Sequence, residues 1–346
     1  MIRYYCTYFD KNYLVKAIAL MQSLSAHETK PYVLYAICLD ELSRVILEKL
    51  KLPNVVAVPL HQIEMGNSAL RTARETRSLV EYYWTLTPSI LYWLFENNPA
   101  IDSLTYVDAD MYFFSSPDPV YEEFEGFSVV IHEHRFPEEF KALEVHGKYN
   151  VGLLCFRRDS AGLKVLSWWR DRCLEWCFAR LEDGKFGDQL YLNSWPEQFD
   201  GIKVLEHIGA GVAPWNHNQY SFREDQRLGV AVNNLPLIFY HFHSFTFVMP
   251  GLMIPAKYPQ YNPMRYDIIK LCVLPYVEHL HRLIFTVQSL LPSFNFGIES
   301  IGALAENHTV VIHRNLSAEF ESIFEQHGTV PVSRALDQTW VTYNFR

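Results

Sequence analysis

Leu104-Thr105-Tyr106-Val107-Asp108-Ala109-Asp110-Met111-Tyr112-Phe113-Phe114 sets two carboxylates one residue apart, directly after a short apolar, β-favouring run. A run of that kind reads as a buried strand. Ending it in Asp-x-Asp places hard oxygen ligands at the carboxyl edge of a sheet, where α/β folds bind their ligands. Taken alone, the pair suits a strand-closing turn as well, because Asp readily hydrogen-bonds its own backbone. The surrounding pattern decides between the two.

Residues 2–9 and 32–39 are apolar, β-rich runs, and between them Leu14, Ala17, Ile18, Met21 and Leu24 recur at helical spacing, giving a β-α-β unit. A second amphipathic segment at about 41–51 leads to Val55-Val56-Ala57-Val58, and a helical stretch from about 76 to 97 leads to Leu104. Strands alternating with helices predict an α/β fold, a mostly parallel central sheet flanked by helices. Downstream, strands are expected at 128–131 and 151–156, a helix at about 161–181, and one apolar strand from Leu235 to Tyr240 that starts near an edge because of Pro236. Past Pro250 a Pro/Tyr-rich connector leads to a helix over about 266–291 striped by Ile268, Leu271, Val277, Leu280 and Ile284. Residues 301–346 hold a further strand at 310–313 and a helix near 317–326.

With 346 residues, 49% of them hydrophobic, the chain can bury a sizeable core. A formal charge of -9 with no long run of Lys or Arg argues against a nucleic-acid partner. The opening residues lack a basic start and cleavage pattern, and no stretch reaches the roughly 18 to 20 apolar residues of a spanning helix, so neither a secretory leader nor a membrane span is expected. Cys6, Cys38, Cys155, Cys173, Cys177 and Cys272 form no C-x-x-C pair and read as reduced core residues of a cytoplasmic protein. The helix at 266–291 has two readings: docking on the core, or peripheral contact at the inner face of a membrane with His279, His281 and Arg282 toward the headgroups.

A second polar cluster is His241-Phe242-His243-Ser244-Phe245. If the preceding strand continues through it, His241 and His243 emerge on one face and either supplies a third ligand beside Asp108 and Asp110. Two carboxylates with a neutral imidazole suit Mn²⁺ better than Mg²⁺, which prefers oxygen ligands and water.

In the order Cys6-Thr7-Tyr8, Asp108-Ala109-Asp110, Tyr149-Asn150-Val151-Gly152, Gly187-Asp188-Gln189, Ala213-Pro214-Trp215-Asn216 and His241, the chain resembles the GT-A-fold glycosyltransferases, closest to the retaining enzymes of glycosyltransferase family 8 and their bacterial relatives. The resemblance spans about residues 2–250. It implies a nucleotide-sugar donor, with a UDP-sugar the leading choice, and a glycan or other acceptor. It also implies that Asp108, Asp110 and His241, with His243 as the alternative, bind the Mn²⁺ or Mg²⁺. Cys6, Thr7, Tyr8 and, more distantly, Asp40 would contact the nucleotide, while Asn150, Gly152, Asp188 and Gln189 would surround the sugar, the last two in catalytic roles. On the same resemblance, residues 1–250 form the transferase domain, with 1–115 its nucleotide-binding half and 116–250 its sugar and acceptor half, and 251–346 form a C-terminal extension.

The chain departs from the family at two places. Ser244 and Phe247 stand where the family carries Gly and Lys after the late histidine, so its diphosphate lysine is missing, and Trp84 replaces an arginine of the helix before the metal motif. Arg71, Arg74, Arg77 and Lys257 are the cations available instead. His132, His134 and Arg135, following a strand at the same edge, are acceptor-side candidates, and Asn216 and His217 are acceptor or phosphate candidates. Two other readings are a nucleotidyltransferase that makes nucleotide sugars, for which no Gly-rich phosphate loop is seen near the N-terminus, and a non-catalytic sugar-binding module, to which the 15% aromatic content is suited.

Overall fold

Tyr32–Cys38 pairs in parallel with Arg3–Phe9 on one side and Val55–Pro59 on the other, and Ser103–Val107 joins Arg3–Phe9 from the opposite flank. In the computed structural model, which describes residues 2–299, 308–317 and 332–344, three more strands complete a seven-stranded sheet. Its order is Val55–Pro59, Tyr32–Cys38, Arg3–Phe9, Ser103–Val107, Tyr149–Arg157, Val129–Glu133, Ile202–Val204. Tyr149–Arg157 runs antiparallel to both of its neighbours, and every other pairing is parallel. The mostly parallel α/β sheet expected from the alternation is therefore present.

The helices start where the sequence provides caps. Asp40 accepts from Ser43 N at 2.8 Å to open Glu41–Leu50, and Ser78 with Glu81 forms a capping box at Leu79–Asn97. That cap divides the expected helix from 76: Ser68–Thr76 is a separate helix, and the long one begins at Leu79. The helix expected to reach 181 ends at Glu175. Leu86, Ile90 and Leu94 of the long helix and Val165 and Trp169 of Ser160–Glu175 share one buried core with Leu104, Ile131, Leu154 and Phe156 of the sheet. Each such side chain contributes about 1.5–3 kcal/mol on burial.

Arg158 closes the C-terminal end of the long helix, donating to Phe95 O, Asn98 O and Ile101 O at 2.5–2.7 Å. Removing a charged donor from three carbonyls costs roughly 1.5–3 kcal/mol per lost bond at most. Arg158→Met is therefore expected to shift the urea midpoint down with an unchanged m-value; an unchanged midpoint would show these bonds to be neutral.

The chain divides into two compact units: Met1–Phe9, His27–Asp108 and Ser116–Gly211 make up the first, which carries the seven-stranded sheet, and Asp10–Ala26, Ala109–Ser115 and Val212–Arg346 the second. In the second unit Met111–Phe113 pairs antiparallel with Phe239–His241. The single strand expected over 235–240 is divided. Leu235–Pro236 instead pairs with Gly229–Val232, itself paired with Phe222–Asp225. Pro236 has no N–H with which to extend a ladder. A five-stranded antiparallel sheet runs Thr246–Met249, Leu252–Ile254, Thr309–His313, Trp340–Asn344, Val332–Ala335; of these, only the strand at 310–313 was expected. Residues 318–326 of the expected C-terminal helix lie outside the described residues.

The helix expected over 266–291 is Tyr266–Ile268, a wider π-type turn at Ile269–Val273, and Leu274–Leu290. Of its five stripe residues, Ile268, Val277, Leu280 and Ile284 are buried and Leu271 is half-buried. His279, expected at headgroups in one reading, bonds Gln22 Oε1 at 2.7 Å and Tyr112 OH at 3.1 Å within the same unit. The core-docked reading thus accounts for the stripe. Among the described residues no helix is long and apolar enough to cross a membrane.

Candidate metal and sugar site

Asp108 immediately follows the Ser103–Val107 strand, and its N–H donates to Gly152 O at 2.8 Å. Because Tyr149–Arg157 is antiparallel, its N-terminal end lies beside the C-terminal end of Ser103–Val107, with Val107 opposite Leu153. That register brings Asn150 and Gly152 to Asp108. The Asn150 side chain accepts from Gly152 N at 2.8 Å and directs its amide to His134 Nε2 at 3.1 Å and Gln189 Oε1 at 3.5 Å. His134 is stacked on Phe136 and contacts Lys148 O through Nδ1. Thus Asn150, Gly152, Gln189 and His134, scattered along the sequence, meet.

Asp188 and Gln189 are oriented by the glycines around them. Gly187 has a φ of +52°, and a Cβ there would come within 3.1 Å of Trp84. Gly147, at φ +137°, lies so close to Gln189 that a Cβ would meet its Cγ at 2.9 Å. Trp84 therefore packs against the turn leading into Asp188. The Asp188 carbonyl accepts from Trp169 Nε1 at 2.8 Å and its buried carboxyl bonds Thr87. Burial, reinforced by the charge of Asp108, pushes the Asp188 carboxyl up to about 8. The Thr87 hydroxyl is 3.0 Å from Tyr8 OH, Tyr8 stacks on Tyr106, and Tyr106 OH donates to Asp108 Oδ1 at 2.6 Å. Tyr8 therefore lies between the two carboxylates, where the resemblance places a nucleotide contact. Thr87 and Tyr106 were not legible as partners from the sequence.

Asp110 is held by the Met111–Phe113 ladder, in which Met111 faces His241 and Phe242 N donates to Asp110 O at 2.9 Å. His241 Nε2 lies 3.1 Å from Asp110 Oδ1, and Trp215 packs edge-on against His241. Burial alone would raise the Asp110 carboxyl, but His241, Lys16 and His243 hold it well below the usual carboxylate range. Lys16, which the sequence did not single out, is buried and donates to Phe245 O at 2.7 Å. The strand ends at His241, and Ser244 takes a φ of +61°. His243 instead stacks on Tyr258, and its imidazole is pushed down to about 4, by burial first and then by His241.

Asp108, Asp110 and His241 form the metal-competent group among the described residues: one ligand atom from each lies within 4.8 Å of the others. Two carboxylate oxygens and one imidazole nitrogen fit a divalent cation. His243 is not in this group. His241→Ala is accordingly expected to weaken Mn²⁺ binding more than His243→Ala in a fluorescence or calorimetric titration; the reverse order would assign the ligand to His243.

No family model matches the chain. The uncharacterized protein YfnF of Bacillus subtilis (strain 168) is 34% identical over 299 residues, covering 84% of this chain and 96% of YfnF. YfnD of the same organism is 30% identical over 311 residues, covering 89% of this chain and 98% of YfnD. The chain belongs to the family of YfnF and YfnD. Among solved structures, this family member is similar to the galactosyltransferase LgtC in complex with donor and acceptor sugar analogs (15% identity, 81% of this chain and 95% of that one, TM-score 0.47). It is also similar to mouse xyloside xylosyltransferase 1 (14%, 60% and 86%, TM-score 0.40) and to the glycosyltransferase GlyE of Streptococcus pneumoniae TIGR4 (16%, 60% and 45%, TM-score 0.38).

In this member of the YfnF and YfnD family, several other sequence candidates have structural partners. Arg77 donates to Cys173 O and Leu174 O, near the end of the Ser160–Glu175 helix, at 2.7 Å and to Thr85 of the Leu79–Asn97 helix. Arg74 pairs with Glu64 and Lys257 with Glu299, Asp40 caps its helix, and Cys6 and Thr7 are fully buried in the first strand. Arg135 reaches Leu205 O and Ala210 O at 2.8 Å. His132 is buried against Gly211, where a Cβ would meet its Nδ1 at 2.8 Å. Asn216 accepts from Ala213 N, and His217 is buried 2.7 Å from Tyr240 OH.

Proposed function

We propose that the chain is a metal-dependent glycosyltransferase that moves a hexosyl-type sugar from a UDP-sugar to a glycan or other acceptor with retention of anomeric configuration. The observation that carries this reading is the convergence of Asp108, Asp110 and His241 at the end of a parallel-sheet strand. A cation held there supplies Lewis-acid neutralisation of the diphosphate leaving group. Gln189 and Asn150 orient the sugar through their amides, and Asp188, buried beside Thr87, presents a carboxyl toward the same edge. Tyr8, between Asp108 and Asp188, packs against the donor. Retention requires the acceptor oxygen to approach from the face the diphosphate leaves, or a protein group to intervene first; Asp188 and Gln189 are the residues proposed for either course. The division of labour proposed is that residues 1–250 carry the chemistry and 251–346 extend it.

The direct test is incubation with UDP-, GDP- and CMP-sugars and Mn²⁺, with release of free nucleotide followed. UDP release from a UDP-sugar alone among the donors is the expected result. Saturable UDP-sugar binding without any release, in the presence of a panel of acceptors, would favour a sugar-binding module instead.

A further inference from the structure

A cleft of about 290 Å³ opens on the helical side of the first unit, lined by the Leu79–Asn97 and Ser160–Glu175 helices and by Asn67. None of its lining residues belongs to the metal and sugar site described above. Tyr92, Trp93 and Glu96 recur three and four residues apart, so they share one helix face. Arg170 lies over the Tyr92 ring, 3.7 Å from its centroid, and donates to Asp171 Oδ1 at 2.7 Å. Its charge and one face of Tyr92 are therefore engaged within the protein.

The other groups are only partly engaged, Trp93 being half-buried and packed in part against the core of the first unit. Trp93 stacks on no aromatic ring, and Glu96 has no ion pair or hydrogen bond among the described residues. Asn67 accepts from Leu70 N through Oδ1, which leaves its NH₂ to donate. The volume is at the lower end of small-ligand sites, about 300 Å³. One guanidinium already paired with one of two carboxylates leaves a net negative lining, which disfavours phosphates and other anions. A purely apolar guest would leave Glu96 and the Asn67 amide desolvated without partners. What suits an indole face flanked by hydroxyl acceptors and an amide donor is a neutral polyol with one C–H-rich face, which is to say a pyranose.

We propose that this cleft is a second carbohydrate-binding site, taking one neutral hexose unit of a glycan on Trp93, with Glu96 and Asp171 accepting from its hydroxyls and Asn67 donating to them. The proposal does not rest on the transferase reading. It is tested by saturation-transfer NMR on the full chain, without metal or nucleotide, using methyl α-D-glucoside, methyl β-D-galactoside and N,N′-diacetylchitobiose as probes. At least one probe is expected to show transfer to its ring protons. That signal should persist in Asp110→Ala and weaken by about tenfold or more in apparent affinity in Trp93→Ala and in Glu96→Gln. Glu96 is exposed, so Glu96→Gln decides the matter if Trp93→Ala does not fold. Absence of transfer from all three probes, transfer unchanged in the folded variants, or transfer lost in Asp110→Ala would each overturn the proposal, the last by assigning the signal to the metal site.

Discussion

Replacing Asp110 by alanine is expected to remove Mn²⁺-dependent UDP binding while leaving the fold intact. Asp110 is buried and shares its carboxylate between His241 and the electrostatic influence of Lys16 and His243. Without it, the cluster retains Asp108 and His241, too few protein ligands to hold a hard cation firmly in competition with water. Calorimetry should show UDP affinity in Mn²⁺ falling by at least about a hundredfold, the upper range for loss of support at a metal site. Circular dichroism should be unchanged, because the backbone bonds of Asp110 run through its carbonyl to Phe242 N rather than its side chain. A folded Asp110→Ala protein with unaltered Mn²⁺-dependent affinity would remove Asp110 from the metal site, and the transferase reading would lose its chief support.

The second expected result concerns Asp188. With an α-linked UDP-glucose or UDP-galactose donor, the product should be α-linked, read from the anomeric coupling in its proton NMR spectrum. Asp188→Asn should lower both transfer and donor affinity. A general base of an inverting enzyme would behave differently. It contributes about 10²–10⁴-fold in rate alone and would yield a β-linked product, whereas a sugar-positioning side chain acts through geometry. A β-linked product, or transfer abolished at unchanged donor affinity, would convert Asp188 into that base.

The environment of Asp188 also has a consequence for stability. In the metal-free protein its carboxyl is pushed up to about 8, by burial and then by Asp108, against about 4 in an unfolded chain. Between those values the folded state binds the extra proton, so this group's contribution to stability falls as pH rises through that window. Asp188→Asn carries no such proton, and its melting temperature should decline less than wild type between pH 5 and pH 8, each in the presence of a chelator. Parallel curves would show that Asp188 is ionised throughout.

Much of the first unit follows from local signals. The apolar runs at 2–9, 32–39, 55–58 and 104–107 and the intervening helical periods are each written within a few residues, and they predict the parallel ladder that forms, whereas the cap at Ser78 that divides the helix expected from 76 emerged only in the structure. Asp108 and Asp110 were legible for the same reason, being an acidic pair at the end of a buried run. The strand boundaries after residue 235 were not. The chain there is uniformly apolar, and whether Pro236 starts one strand or separates two depends on which neighbours offer donors.

By itself, then, the sequence determined the α/β alternation, the position of the two aspartates at a strand end, and the two histidines from which a third ligand would come. The resemblance favoured His241 over His243, and the tertiary structure supplies the physical reason: the ladder between Met111–Phe113 and Phe239–His241 sets His241 against Asp110 and ends before His243. Tertiary packing likewise placed Lys16 near Asp110, linked Thr87 to Asp188 and Tyr8, and set Trp93 across a cleft from Asp171. Such contacts join residues far apart in the chain, and they leave no periodicity in the sequence because each depends on strand register and helix packing rather than on the local backbone.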